Sequence, residues 1–489
     1  MEYEPVIGLE IHAELDTRSK MFCACRVVDS TVAQPNIAVC PVCAGMPGVL
    51  PVVNQRAVEY GLRVALALGC QVNPTSIFAR KNYFYPDLPK GYQISQYEQP
   101  LARNGAITFL TSQGERLVRI RRVHLEEDTG KLTHINQAGE SYSLVDLNRA
   151  GVPLLEIVTE PDLHSAEEVR LYASALRSLL RYLGVNSGDM QKGVMRIEPN
   201  ISVRPLGSRE LGTRTEIKNL NSFRALERGV EYEIQRQVGL LNRGERVVQE
   251  TVGWDDLRGV TFTQRVKETE EDYRYFPEPD LPPLVLDPAW VEAVRLSLPE
   301  LPIARLHRFQ GQYGLSAYDA EVLVAERATA DYYEQAVAAA ADVSPKVVTN
   351  WITGELFALL NQSGGGIESC PVAPPALAAL LEMVRRGEIN HNTGKTVLVE
   401  MFQSGKTAEQ IVAERGLRQV SDTDVIAGLV AGVLADNPEQ VASFLQGKET
   451  VSRWLFGQVM RLARGQANPQ VVQQELDSQL AALKRMESE

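Results

Sequence analysis

The chain has 489 residues, 44% hydrophobic and 23% charged, the proportions of an ordinary globular protein of about three domains. Its 62 acidic residues against 50 basic ones give a formal charge of -12, which argues against a protein that coats nucleic acid through bulk charge. No apolar run approaches the ~20 residues needed to cross a bilayer, and the N-terminus carries Glu2 and Glu4 where a secretory leader carries Lys or Arg, so a cytoplasmic protein with no membrane partner is expected.

From residue 1 to about 290, short alternating runs punctuated by Gly and Pro read as strands with one polar face. The first, Val6-Ile7-Gly8-Leu9-Glu10-Ile11-His12, runs on to Glu14, and its period of two puts Glu10, His12 and Glu14 on one side. Two thiol pairs follow, Cys23-Ala24-Cys25 and Cys40-Pro41-Val42-Cys43. Two close cysteine pairs joined by a modest loop supply the four soft ligands of a closed, structural zinc site. The alternative, a set of buried apolar cysteines, is the weaker reading for four thiols in so short a segment, and the stronger one for the isolated Cys70 and Cys370. A helix is expected over Asn54 to Leu68. Lys81 to Tyr97 then interleaves five aromatics with polar residues; such a loop stacks a base or pins a domain edge.

Further strands carry more acids. His124-Leu125-Glu126-Glu127-Asp128 follows the arginine-rich Arg119-Ile120-Arg121-Arg122, and Leu154-Leu155-Glu156-Ile157-Val158 holds one acid in an apolar run. Thr213-Arg214-Thr215-Glu216-Ile217-Lys218 sets Arg214, Glu216 and Lys218 on one face. Helices are expected over Ala166 to Leu183 and Ser222 to Leu241, and the Pro-rich Tyr275 to Pro283 reads as an extended rim. After about Pro288 the pattern turns helical, notably over Ala317 to Ala341 and Ala376 to Arg386, with a loop at Ser363 to Gly366. Beyond Gly405, Thr407–Arg415, Val425–Asp436, Asn437–Leu445 and Val451–Arg464 read as a small bundle. The fold class is therefore α+β, with a strand-rich domain (1–290), a helical domain (291–405) and an all-helical tail (406–489).

Carboxylates embedded in apolar strands beside Arg and Lys suit hard cations that bridge to phosphate oxygens, as in Mg-dependent phosphoryl transfer. Structural ion pairs are the competing reading for any one of them. The usual nucleotide signatures fail, since Gly394-Lys395-Thr396 and Gly405-Lys406-Thr407 have Ile389 and Glu400 where a P-loop needs its leading glycine. Neither G-x-S-x-G nor H-E-x-x-H occurs.

The strand at Val6–His12, both cysteine pairs, Lys81–Tyr92, His124–Asp128, Asp146–Glu156, Glu216–Phe223, Asp272–Pro277 and Ala467-Asn468-Pro469 together resemble the B-subunit family of bacterial Asp/Glu-tRNA amidotransferases, GatB. The resemblance runs the length of the chain in a consistent order. It implies a cradle-like catalytic N-terminal domain and a carbon–nitrogen ligase that phosphorylates the side-chain carboxylate of Glu-tRNA(Gln) or Asp-tRNA(Asn) with ATP. Ammonia channelled from a separate glutaminase (amidase) subunit then displaces the phosphate, and a third, small subunit completes the heterotrimer. Carried over by motif position, Glu10, His12, Glu126, Glu156 and Glu216 are the expected Mg2+ ligands and catalytic residues, Lys81, Arg214 and Lys218 the ATP or phosphate contacts, and Cys23, Cys25, Cys40 and Cys43 the zinc ligands. Arg453, Arg461 and Arg464 would lie within about 80° of one another on a helix and are the expected tRNA contacts. Where many relatives read Arg-Cys-Asp-x-Asn, this chain reads Arg196-Ile197-Glu198-Pro199-Asn200, and Glu198 receives no role. The rival reading is a zinc-stabilised tRNA-binding scaffold whose chemistry resides in its partner.

Overall fold

Alternation along β1 (Tyr3–Glu14) buries Ile7, Leu9, Ile11 and Ala13 and turns Glu10, His12 and Glu14 to the opposite side. This description comes from a computed structural model covering residues 2–137, 140–266, 273–418, 423–463 and 467–488. The chain divides into two units, Met1–Arg305 and Leu306–Glu489.

The remaining strands all belong to the first unit. They are β2 (Gln71–Val72), β3 (Thr75–Ser76), β4 (Phe78–Asn82), β5 (Tyr92–Gln96), β6 (Ala102–Thr111), β7 (Gly114–Glu127), β8 (Lys131–Gln137) and β9 (Glu140–Asp146). After them come β10 (Pro153–Thr159), β11 (Met195–Pro205), β12 (Thr215–Lys218), β13 (Glu250–Asp255), β14 (Val260–Val266), β15 (Phe276–Pro277) and β16 (Leu284–Val285). Nine of them form one sheet in the order β14-β13-β12-β11-β1-β10-β7-β6-β2. β1 therefore sits centrally, antiparallel to β10 on one side and to β11 on the other. A smaller sheet, β15-β4-β5, lies beside β7, where the Gln96 side chain accepts from the Leu125 amide and Ser95 donates to Glu126.

Three helices cover the apolar face: α1 (Gln55–Ala67), α2 (Ala166–Tyr182) and α3 (Phe223–Asn242). Their starts follow from side-chain capping, because Asn54, Ser165 and Ser222 each accept hydrogen bonds from the first free amides of the helix. Gly61 marks the closest approach of α1 to the sheet. A Cβ there would meet Leu101 at 2.8 Å and Leu125 at 3.1 Å, so a larger residue would push the helix off β7 and β10. A fourth helix, α4 (Pro288–Leu296), begins with Asp287 as cap and Pro288 in its first turn.

The elements of the second unit, among its described residues, are helices joined by short loops. The stretch expected as one helix over Ala317 to Ala341 is two, Ala317–Val324 and Arg327–Ala339, separated by an extended backbone at Glu326. Periodicity survives the break because both halves bury a face, Ala320 and Leu323 before it and Ala330, Tyr333 and Ala336 after it. A separate core gathers Ile426, Val430, Leu455, Val459, Val472, Leu476 and Leu480 from the helices Thr423–Asp436, Val451–Leu462 and Pro469–Ser488. The bundle read from sequence as ending with Val451–Arg464 has one more helix. Pro469–Ser488 follows, its Val472, Leu476 and Leu480 spaced four apart on one stripe, and the Gln and Ser residues between them mask it in the sequence. No helix among the described residues is long and apolar enough to cross a membrane.

Candidate active site

Register lines up acids and cations from five strands on the polar face of the sheet. His12 stands opposite Glu156 of β10, which stands opposite His124 of β7. The Nε2 of His12 lies 3.5 Å from Glu156 and 3.7 Å from Glu126, and that of His124 lies 3.2 Å from Glu156 and 3.8 Å from Glu126. Two residues away, Glu10 stands opposite Glu198 of β11, and Asn200 of β11 stands opposite Glu216 of β12. Lys218 closes this second group, 3.3 Å from Glu198 and 3.2 Å from Glu216, while Asn200 donates to Glu10 at 3.2 Å.

The two groups differ in charge balance. Glu126 and Glu156 are only 2% and 7% exposed, so water does little to neutralise them. Burial disfavours charge on Glu156, but hydrogen bonds and charge from His124 and His12 override it and hold the carboxyl well below its ordinary value. His12 responds in the opposite sense. Burial opposes its charge, yet the Glu156 hydrogen bond and the surrounding carboxylates push it up to about 9. In the second group, burial first, then Glu156, Glu216 and Glu198, raises Glu10 above the usual carboxylate range.

Both groups fit a divalent cation. The ligand atoms of His12, Glu126 and Glu156 lie within 4.8 Å of one another, as do those of Glu10, Glu198 and Glu216. Three converging carboxylates, one of them raised by the charge of the other two, are a site short of positive charge, which hard oxygen-seeking ions supply. The buried Nδ1 atoms of His12 and His124 have no hydrogen-bond partner, and such orphans mark places where a ligand or solvent belongs.

Cationic and aromatic side chains flank the carboxylates. Lys81 of β4 lies 4.9 Å from the ring centre of Tyr273 and 5.9 Å from that of Tyr83. Burial works against its charge, but Glu126, Tyr275 and Glu156 hold its pKa above the ordinary lysine value. Tyr97 and Tyr275 stack at 4.1 Å, and Arg122 lies over Tyr97 while reaching to 3.8 Å from Glu156. Arg274, between the two tyrosines, takes a left-handed backbone (φ 44), and Asn82 donates to its carbonyl at 2.8 Å.

The four cysteine sulfurs of the 23–43 segment also fall within 4.8 Å of one another, a set that could hold a metal ion. A hydrogen bond between Cys23 and Cys43 pushes the Cys23 thiol up and, with the Cys40 amide, draws Cys43 down to about 4. Of the other residues expected from sequence, Arg214 is exposed and precedes β12 rather than sharing its face, so it does not join Glu216 and Lys218. Arg453 and Arg461 are exposed on the helix Val451–Leu462, and Arg464 lies outside the described residues. Three residues of the polar face went unassigned in the sequence: His124, Glu198 and Arg122. His124 and Arg122 carried a signal, since both alternate with Glu126 on one strand.

A strand-rich domain with this carboxylate-lined face, followed by helices, defines the class. The GatB/GatE catalytic domain model matches residues 5–292, and the GatB domain model matches residues 331–480. The chain belongs to the GatB family. Similar proteins include the aspartyl/glutamyl-tRNA(Asn/Gln) amidotransferase subunits B of Thermomicrobium roseum, 54% identical over 98% of this chain and 99% of that one, and of Moorella thermoacetica, 53% identical over 98% and 100%. The B subunit of Myxococcus xanthus is 50% identical over 98% and 99%. The α+β class and the family resemblance read from sequence are thereby borne out.

Proposed function

We propose that this chain is the catalytic B subunit of a tRNA-dependent amidotransferase, a ligase that converts Glu-tRNA(Gln), Asp-tRNA(Asn) or both to the amides. A carboxylate is a poor electrophile until one oxygen leaves easily. Transfer of the γ-phosphoryl group of ATP to the side-chain carboxylate forms an acyl phosphate and ADP. Ammonia then attacks the acyl carbon, the C–O bond to phosphate breaks, and the amide forms with loss of a proton.

The observation that carries this reading is the convergence of two acidic groups on one sheet face, 4.8 Å or less within each. Glu10, Glu198 and Glu216 on one side, and His12, Glu126 and Glu156 on the other, would hold Mg2+, which supplies neutralisation of the phosphate oxygens. Lys218 and Lys81 are assigned to phosphate or acyl oxygens, and Arg122 adds a guanidinium beside Glu156. Arg214, exposed before β12, is assigned to ATP phosphate through the long reach of its side chain. His124 orients Glu156 through its 3.2 Å contact. Cys23, Cys25, Cys40 and Cys43 hold a structural Zn2+, because four thiolates leave no open position.

Residues 1–290 serve as the catalytic cradle, 291–405 as a helical domain, and 406–489 as a tail that meets tRNA through Arg453, Arg461 and Arg464. A glutaminase (amidase) subunit supplies ammonia, a third, small subunit joins the assembly, and the complex works in the cytoplasm. The test is ADP release by the reconstituted complex. ADP formed with Glu-tRNA(Gln) but not with uncharged tRNA, and lost in E10Q and E126Q, supports the kinase step. No ADP under any condition, with tRNA still bound, leaves a scaffold.

A further inference from the structure

Lys20 is fully buried, 0% exposed, in the segment that carries the cysteines. Its ammonium donates to the Ala38 carbonyl at 2.7 Å, the Leu147 carbonyl at 3.2 Å and Cys43 Sγ at 3.5 Å. Three acceptors match the three hydrogens of a charged lysine. Among the described residues no carboxylate pairs with it. A buried charge without a counter-charge costs several kcal/mol, so some anion must balance this one. The sulfur of Cys43 is the one acceptor of the three that carries charge when it binds a metal.

The surroundings give the contact a second consequence. Leu147 and Gly151 lie in the segment that leads into β10, the strand of Glu156. The Met21 amide donates to the Gly151 carbonyl at 2.7 Å, and a Cβ on Gly151 would meet Cys43 at 3.4 Å and Lys20 at 3.6 Å. Lys20 thus ties the cysteine lobe to the entrance of a strand of the acidic face.

We infer that Lys20 is the internal counter-ion and positioning residue of the four-cysteine metal site. Four thiolates around a divalent ion leave two negative charges in a partly buried lobe, and the ammonium offsets one of them through Cys43. This rests on reading the cysteines as a zinc site.

The test compares zinc release to a chromogenic chelator from the full chain in its complex, for wild type, K20M, C40H and K20M/C40H. Cys40→His keeps four ligands but removes one negative charge. With wild-type ligands, K20M should lose zinc about 10- to 100-fold faster. In the C40H background, where one net charge is left instead of two, the same change should accelerate release several-fold less than with the wild-type ligands. In the cobalt-substituted protein, losing the hydrogen bond to Cys43 should move the sulfur-to-metal charge-transfer band to longer wavelength. Equal acceleration in both backgrounds with an unmoved band overturns the inference, as does a K20M chain that fails to fold whichever ligand stands at 40. Folding of K20M only when paired with C40H supports it. A wild-type chain that holds no zinc defeats the metal reading itself, a result distinct from zinc held equally well with and without Lys20.

Discussion

Two regions of the first unit gather side chains of kinds that can ligate metals, and they are built in opposite ways. The cysteine lobe takes its four sulfurs from positions 23 to 43, on a segment with little regular structure. The acidic face takes its ligands from positions 10 to 216, on five strands of one sheet. The lobe draws its sulfurs from one short stretch of sequence, and its loop is held from outside by hydrogen bonds with Lys20 and with residues 145–151. The face is held by register and by the apolar layer beneath it, so its acids converge before any ion arrives. Chemistry and stability should therefore separate between the two.

The largest separation is expected for Glu10→Gln. Burial and three neighbouring acids already disfavour the Glu10 charge, so its loss relieves repulsion in the metal-free chain. tRNA-dependent ADP formation should fall roughly 100- to 1,000-fold while the melting temperature holds or rises. A lower melting temperature with ADP formation intact would reverse the roles assigned to face and lobe. Stripping zinc with a chelator should do the converse. A structural site of this kind contributes several kcal/mol, so the melting temperature should drop by several degrees. Hydrogen exchange should quicken over residues 18–54 while β1 and β10 keep their protection; equal loss in both would show that the lobe supports the whole sheet.

Glu198→Asp sharpens the account of the face. A shorter arm pulls the carboxylate back from Glu10 and Glu216, and the Mg2+ concentration for half-maximal ADP formation should rise about 10-fold. An unchanged Mg2+ dependence removes Glu198 from the ligand set. The smallest effect belongs outside both regions. R453A/R461A should weaken tRNA binding a few-fold and flatten its salt dependence by roughly 1.5 logarithmic units per decade of salt, with zinc content and melting temperature unchanged.

How far each region could be read from sequence follows from the same contrast. Cysteine spacing is a local code, and so is strand alternation, which is why Glu10 and His12 stood out together. Helix caps were equally local: Asn54 and Ser222 opened the predicted helices and do cap them. Pairing is not local. Nothing near His124 announces that it will face Glu156, and nothing near Glu198 announces Glu10, because those neighbours come from strand register. Arg214 leaves that face for a related reason: the strand starts two residues later than the alternation suggested, at Thr215. Lys20 carried no signal at all, since a lysine two residues before a phenylalanine and a cysteine reads as surface until its burial is known.

The central place of β1 has a kinetic consequence. Its two sheet neighbours are β10 and β11, at residues 153–159 and 195–205, so both ladders close loops of well over a hundred residues. Closing such loops is slow, and a ribosome exposes β1 long before either partner emerges. The strand Val6–Ala13, with its alternating Ile and Leu, must wait unpaired while about 140 further residues are made, and about 190 pass before its second edge is paired. The thiol pairs are complete by residue 43, while the backbone partners of their lobe at 145–151 arrive only just before β10. Nascent chains released between residues 50 and 150 should carry an aggregation-prone first strand, and only chains past about residue 205 can bury it on both edges.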